Sequence, residues 1–186
     1  MHFKSLNKYY FINTLDTNNF GKQDKSTIII YRNYASQKKE VNKILKLKNF
    51  LKKRGNKFFL ANDFKLAQKL RLDGVYLPAF NKKFNHLCYS KMTNFDIIGS
   101  AHNLKEIRTK ELQKVGVIFI SSLFKKNKNF LGLNKFKILN NYTKNKVVAL
   151  GGISKKNIKK IKILNIAGIG GISFFKKKAP KKGPFR

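Results

Sequence analysis

Eight short apolar runs, most of them separated by stretches of helical period, constrain this chain more than anything else in it. They are Tyr9-Tyr10-Phe11-Ile12, Thr27-Ile28-Ile29-Ile30-Tyr31, Lys57-Phe58-Phe59-Leu60-Ala61, Gly74-Val75-Tyr76-Leu77, Asp96-Ile97-Ile98-Gly99, Val115-Gly116-Val117-Ile118-Phe119-Ile120, Lys146-Val147-Val148-Ala149-Leu150 and Ile169-Gly170-Gly171-Ile172. Runs this short that stay apolar throughout, instead of alternating, predict parallel strands buried on both faces. Between them, 35–54 carries Val41, Ile44, Leu45, Leu47 and Leu51 near helical spacing, and 64–72 carries Phe64, Ala67 and Leu70. Residues 104–114 follow Asn103, and Glu106 three positions on resembles a capping box. Residues 155–164 follow Ser154, a candidate N-cap, with Ile158, Ile161 and Leu164 as the stripe.

Eight strands alternating with helices predict an α/β chain, a (β/α)8 TIM barrel, with an open doubly wound sheet as the alternative. At 186 residues the chain is shorter than the roughly 200–250 usual for that barrel. No helix is legible between Leu15 and Ser26, and 176–186 holds two prolines and six cations. The expectation is therefore a trimmed barrel over 1–175, with the helices after the first and last strands short or missing, and a basic tail over 176–186. A second copy of the chain is one way to cover that flank, which makes a homo-oligomer a possible partner arrangement.

Charge is the next constraint. Lys and Arg total 42 against 8 Asp and Glu, a formal +34. A field of that sign favours phosphorylated ligands. It does not by itself indicate nucleic acid, because 37 of the cations are Lys and 5 are Arg, and readers of bases lean on the planar Arg fork. Asn is frequent as well, at 21 residues. Lys, Asn, Ile and Phe share AT-rich codons, so genome composition is a sufficient cause of the bias. The single Cys88 excludes a disulfide framework within the chain and a Cys-based zinc cluster, and His2, His86 and His102 lack metal-ligand spacing. Cys88 has no separate activating group in view and reads as a buried or inert thiol. No apolar run reaches the roughly 18 residues of a membrane span, and the start has no signal-peptide core, so a cytoplasmic location is expected.

In such a barrel the active face lies at the C-terminal ends of the strands. Those ends hold Arg32, Asn62 and Asp63, Asn81, Ser100 and His102, the segment from Ser121 to Asn129, Gly151-Gly152-Ile153-Ser154, and Ser173. The Gly pair opening toward a helix would let backbone N–H groups approach an anion, or would simply make a tight turn. Asp63 could hold Mg²⁺ together with pyrophosphate oxygens, or cap the helix that follows. Ser100 could bind phosphate and His102 move a proton, or either could cap a helix. Lys125-Lys126-Asn127-Lys128-Asn129 could close over a polyanion or be a solvated run.

The order of these landmarks resembles the thiamine-phosphate synthase family, which includes the related thiazole tautomerases. The landmarks are Arg32, Asn62-Asp63, Asp73-Gly74-Val75-Tyr76-Leu77 where the family has Asp-Gly-Val-His-Leu, Ile98-Gly99-Ser100-Ala101-His102, and Val148-Ala149-Leu150-Gly151-Gly152-Ile153 with Asn157 beyond. The resemblance implies a (β/α)8 barrel that joins hydroxymethylpyrimidine diphosphate and a thiazole phosphate into thiamine phosphate, releasing pyrophosphate. It implies Arg32, Asn62 and Ser100 on the pyrophosphate, Mg²⁺ on Asp63, and Gly151, Gly152 and Ser173 around the thiazole phosphate. Ser100 and either Lys126 or Lys128, standing in for the family's loop lysine, are the implied catalytic residues.

Three stretches depart from the pattern. Ile30-Tyr31-Arg32-Asn33-Tyr34 lacks the family's glutamine and lysine. Pro78-Ala79-Phe80-Asn81 replaces Gly-Gln-x-Asp, so Asn81 removes a second carboxylate from the metal. Ser121 to Asn129 lacks both threonines of the family's phosphate loop. A family member that binds a phosphorylated thiazole or pyrimidine without this catalysis is the alternative, and a basic nucleic-acid-associated protein is a third reading.

Overall fold

Side-chain parity along each strand decides which of two cores a residue joins. In the computed structural model, which describes residues 6–15, 23–32, 34 and 41–175, eight parallel strands close into a barrel in chain order. They are β1 (Asn7–Ile12), β2 (Thr27–Tyr31), β3 (Phe58–Ala61), β4 (Gly74–Leu77), β5 (Asp96–Ala101), β6 (Val117–Ser121), β7 (Lys146–Leu150) and β8 (Gly168–Gly171). Closure runs through β1, whose Tyr9 stands opposite Ile28 of β2 on one side and Gly170 of β8 on the other. That pairing excludes the open doubly wound sheet.

Successive residues of a strand point to opposite faces. Tyr9, Phe11, Ile30, Phe59, Ala61, Tyr76, Ile98, Phe119 and Val148 fill the barrel interior. Their neighbours Tyr10, Ile12, Ile29, Leu60, Val75, Ile118, Val147 and Ile169 form the outer layer under the helices. Inside, Phe119 meets Tyr9, Phe11 and Tyr76 edge-on at 4.8, 5.7 and 5.7 Å between ring centroids. Glycines make room for these rings. A Cβ on Gly170 would sit 3.3 Å from both Phe11 and Phe119, and one on Gly74 would sit 2.4 Å from Phe59.

Four α-helices lie among the described residues: α1 (Val41–Lys53), α2 (Phe64–Lys69), α3 (Leu104–Leu112) and α4 (Gly132–Asn141). Asn103 caps α3 by accepting from the Glu106 N–H at 2.9 Å, and Glu106 reaches back to the His102 N–H at 2.7 Å. The anticipated box therefore forms, with its acid returning one residue earlier than usual. Helix α1 buries Ile44, Leu47 and Leu51 but leaves Val41 exposed. Residues 35–40 of the expected 35–54 helix lie outside the described residues.

Other expectations need correction. Helix α2 stops at Lys69, short of the expected 72, because Arg71 takes φ +48 and the Leu72 N–H closes on the Ala67 carbonyl. The expected 155–164 helix is a 3₁₀ segment, Ile158–Ile163. Ser154 does not cap it. Asn157 instead accepts from the Ser154 N–H at 2.8 Å and donates to the Gly152 carbonyl at 2.8 Å, folding 152–157 into a loop. Helix α4 was not anticipated, although Leu133, Phe136 and Leu139 recur at three-residue spacing; Phe136 is fully buried. Cys88 is exposed at the end of a 3₁₀ segment (Asn85–Cys88), so of the buried or inert thiol expected the buried alternative does not hold.

The trimming was expected on the flank where β1 meets β8. No helix lies among the described residues between β1 and β2 or after β8. The chain covers part of that flank itself. Phe175 packs against Tyr10 at 5.5 Å, and its carbonyl accepts from Gln23 Nε2 at 2.8 Å. The tail expected at 176–186 lies outside the described residues. No helix among those described is long and apolar enough to cross a membrane.

Because Phe119 touches three interior rings and is fully buried, Phe119→Ala is expected to cost about 3–5 kcal/mol of folding stability. Phe119→Leu should cost markedly less, and urea unfolding of the two variants checks the ordering.

Candidate functional site

Parallel closure carries every strand's C-terminal end to one mouth, so all the candidate positions share a face. The aromatic interior forms its floor. Ser100, expected just past β5, is the fifth residue of that strand and is buried, pointing inward like Ile98. Its hydroxyl lies beside the Tyr76 phenol and eases its ionisation, as does the Arg32 charge. Burial outweighs both and pushes the Tyr76 phenol above its ordinary value, so it stays protonated and able to donate. Arg32 leaves β2 half-buried, with its guanidinium 5.5 Å over the Phe11 ring and its N–H on the Ile12 carbonyl at 2.7 Å. Arg32, Tyr76 and Ser100 thus form a polar cluster above the hydrocarbon floor.

Neighbouring loops are tied in pairs. Asn62 is exposed in the left-handed region at φ +61, which Asn tolerates. Its Oδ1 accepts from Asn81 Nδ2 at 2.6 Å, joining the ends of β3 and β4. Asn81 Oδ1 accepts from the Lys83 N–H at 2.9 Å. His102 is half-buried, and its Nδ1 lies 2.8 Å from the Ser121 carbonyl and 3.1 Å from the Ser121 hydroxyl. A carbonyl only accepts, so Nδ1 carries the proton, and in the neutral ring Nε2 is the basic nitrogen. The Ser121–Ser122 peptide is cis.

The segment after β6 is compact. Ser122 N–H donates to the Asn129 carbonyl and Leu131 N–H to the Ser122 carbonyl, while Phe124 N–H donates to the Gly151 carbonyl, at 2.8, 2.9 and 2.8 Å. Lys126 and Lys128 stand exposed on it. Gly151 and Gly152 have φ +99 and +74 and lie directly beneath this segment. A Cβ on Gly151 would be 2.5 Å from Ser122 Oγ, and one on Gly152 would be 2.5 Å from the Lys125 nitrogen. Close packing therefore requires both glycines whatever they bind. Ser173 is exposed beyond β8 at the same mouth.

Asp63 caps α2, accepting from the Leu66 N–H at 3.0 Å. No group of three His, Cys, Asp or Glu among the described residues could hold a metal ion. Asn81 spends its amide on Asn62 and Lys83. Among the candidate residues at this mouth, Asp63 is therefore the single carboxylate available to a cation.

Sequence reasoning missed three side chains. Tyr76 was seen as a landmark, not as part of the floor. Tyr34 and Phe80 meet edge-on at 5.2 Å, both exposed, forming an aromatic rim at the very loops that depart from the family pattern. The signal was an aromatic residue in each of two strand-end loops, beside Asn33 and Asn81. A cavity of about 470 Å³ lies away from this mouth, on the N-terminal side, lined by Lys48, Lys52, Lys57, Arg71 and Asp73 among others. It collects none of the residues above.

The sequence matches the family described as thiamine monophosphate synthase over residues 18–175. A thiamine-phosphate synthase of Methanococcus vannielii is 28% identical over 124 residues, 62% of this chain and 58% of its own length, so the match spans under two thirds of that relative. Another, of Methanococcus maripaludis, is 23% identical over 156 residues, 82% of this chain and 75% of its own. A thiamine phosphate pyrophosphorylase from Pyrococcus furiosus has the same fold, with a TM-score of 0.73 at 24% identity, covering 90% of this chain and 86% of that one.

Two predictions follow from this geometry. Gly152→Ala must displace backbone at Lys125 and adopt an unfavourable φ, and is expected to cost about 1–3 kcal/mol in urea unfolding, with faster amide exchange over 121–129. Lys110, in α3, is pushed by burial from 10.5 down to about 8, with Glu106 opposing. Between those values the unfolded chain keeps a proton that the folded chain has released, so this group makes stability rise with pH from about 8 toward 10.5. Unfolding free energies measured across that range should show the rise in the native protein and lose it in Lys110→Met.

Proposed function

The chain belongs to the thiamine monophosphate synthase family, and on that premise we propose that it joins a hydroxymethylpyrimidine diphosphate to a thiazole phosphate, releasing pyrophosphate. The observation that carries this reading is the convergence of Arg32, Asn62-Asp63, Ser100 and Gly151-Gly152 on one barrel mouth, in the order the family uses them.

In this reaction the bond from the pyrimidine methylene carbon to the diphosphate oxygen breaks, and the electron pair leaves with pyrophosphate. The thiazole ring nitrogen then supplies the pair for the new C–N bond. The protein's work is to hold both partners in line and to stabilise charge as it gathers on the leaving group. Arg32 offers a planar fork fixed by its seat on Phe11. The Asn62 amide and the Ser100 hydroxyl add hydrogen bonds, and Lys126 or Lys128 brings a cation over from the exposed segment after β6. Backbone N–H groups near Gly152, with Ser173 across the β7–β8 junction, receive the thiazole phosphate. Mg²⁺ held by Asp63 and the diphosphate would neutralise part of the leaving group's charge. The Tyr34–Phe80 rim gives a heteroaromatic ring an apolar edge to lie against.

The test is thiamine phosphate formation by purified protein given hydroxymethylpyrimidine diphosphate, thiazole phosphate and Mg²⁺, read as fluorescence after oxidation. Asp63→Asn keeps an N-cap for α2 but removes the charge, which separates the metal role from the capping role. It should lower turnover by about 100-fold or more while leaving the folded fraction unchanged. Undiminished turnover in Asp63→Asn rejects the metal assignment. Thiazole phosphate binding without any product from the native protein rejects the synthase reading in favour of a binding role.

A further inference from the structure

Helix α3 carries Lys110 into the layer between helix and barrel, where none of its surface is exposed. Gln113, one turn on, is equally buried. An ammonium group in such a place is strongly disfavoured unless its donors are met. Lys110 Nζ donates to the Asn81 carbonyl at 2.8 Å and to Gln113 Oε1 at 2.7 Å. Gln113 Nε2 donates to the Lys83 carbonyl at 2.8 Å and to the Asn81 carbonyl at 3.2 Å. Its own backbone carbonyl accepts from His86 Nε2 at 2.8 Å.

Both side chains therefore reach out of α3, past β5, to the loop after β4. Gly99 makes the passage possible, since a Cβ there would sit 3.0 Å from Lys110 Cδ. The loop needs outside support. Among the described residues, the connection from β4 to β5 has no α-helix, only the 3₁₀ segment Asn85–Cys88. The loop in turn holds the mouth, because Asn81 Nδ2 binds Asn62 Oδ1, and Asn62 leads directly into Asp63.

We infer that Lys110 is a positioning residue for the mouth: with Gln113 it clamps the Asn81 loop, and through Asn81 it fixes Asn62 and Asp63 for binding of a diphosphate. A carbonyl held by an ammonium group cannot swing to solvent without leaving that charge buried and unpaired, so the clamp is stiff. The geometry of the clamp stands by itself. Its purpose rests on the reading that this mouth binds pyrophosphate.

The experiment uses two readouts on Lys110→Met, which keeps the length and apolar stem but cannot donate. Hydrogen exchange of the ligand-free protein reports on the clamp, and calorimetric titration with Mg²⁺ and inorganic pyrophosphate reports on the mouth. Exchange over 78–83 should quicken about tenfold or more, with β6 and β7 unchanged, and pyrophosphate should bind about tenfold more weakly. Lys110→Arg, which retains N–H donors, should recover part of both. A lowered melting temperature with unaltered loop exchange and unaltered pyrophosphate affinity overturns the inference and leaves Lys110 a packing residue. If Lys110→Met does not fold, Gln113→Leu takes its place with the same expectations. If the native protein binds no pyrophosphate, the diphosphate reading fails, and the exchange of 78–83 still decides whether the clamp exists.

Discussion

The pairing of β1 with β8 is the constraint on which the rest of the structure depends. Once the sheet closes, each continuous apolar run is divided by parity between an interior of aromatic rings and an outer layer beneath the helices. Neither core could exist alone, because β1 to β7 each contribute side chains to both and β8 gives Ile169 to the outer layer and glycines to the interior. The interior is filled by side chains, with glycines on β4 and β8 ceding volume to Phe59, Phe11 and Phe119. The polar candidate residues are therefore gathered at the mouth, from the level of Tyr76 and Ser100 outward.

The rim is organised by contacts between adjacent loops. Asn81 ties β4 to β3, His102 ties β5 to β6, and the Gly151 carbonyl ties β7 to the segment after β6. These ties explain how short loops with few internal bonds present polar groups at fixed places. Among the described residues, the scarce acids stand in similar posts. Asp63 and Asp73 accept from backbone N–H groups at Leu66 and Phe58, and Glu106 accepts from that of His102. Asp24, Asp96 and Glu111 are paired with Lys8, Lys57 and Arg108. The described carboxylates thus serve the scaffold, and the excess of lysine gives the surface a field that favours anions.

Much of this was legible beforehand. The eight strands were recognisable because a strand buried on both faces writes itself as an unbroken apolar run, and the parallel arrangement then implies a common mouth for Arg32, Asn62, Ser100 and Gly151. Less legible were features where a local pattern was outvoted by a distant partner. Ser154 looks like a helix cap, but Asn157 reaches it first and binds Gly152 as well. Asp63 was readable either as cap or as ligand, and the cap is the role seen in the fold. Helix α4 was overlooked because its apolar stripe is narrow and its cap residue, Leu131, makes no side-chain bond.

By itself, the sequence determined the succession of strands and the identity of the polar residues at each strand end. These depend on neighbours within a few positions, where hydrophobic period and turn chemistry act directly. Tertiary structure alone decided that Tyr76 joins Ser100 at the floor, that Asn81 serves Asn62 instead of standing apart, and that Lys110 is buried against a loop 29 residues away. A lysine on a helix looks solvated in any local window. Only closure of the barrel, together with the missing side chain at Gly99, opens an interior path that its ammonium can follow to a carbonyl.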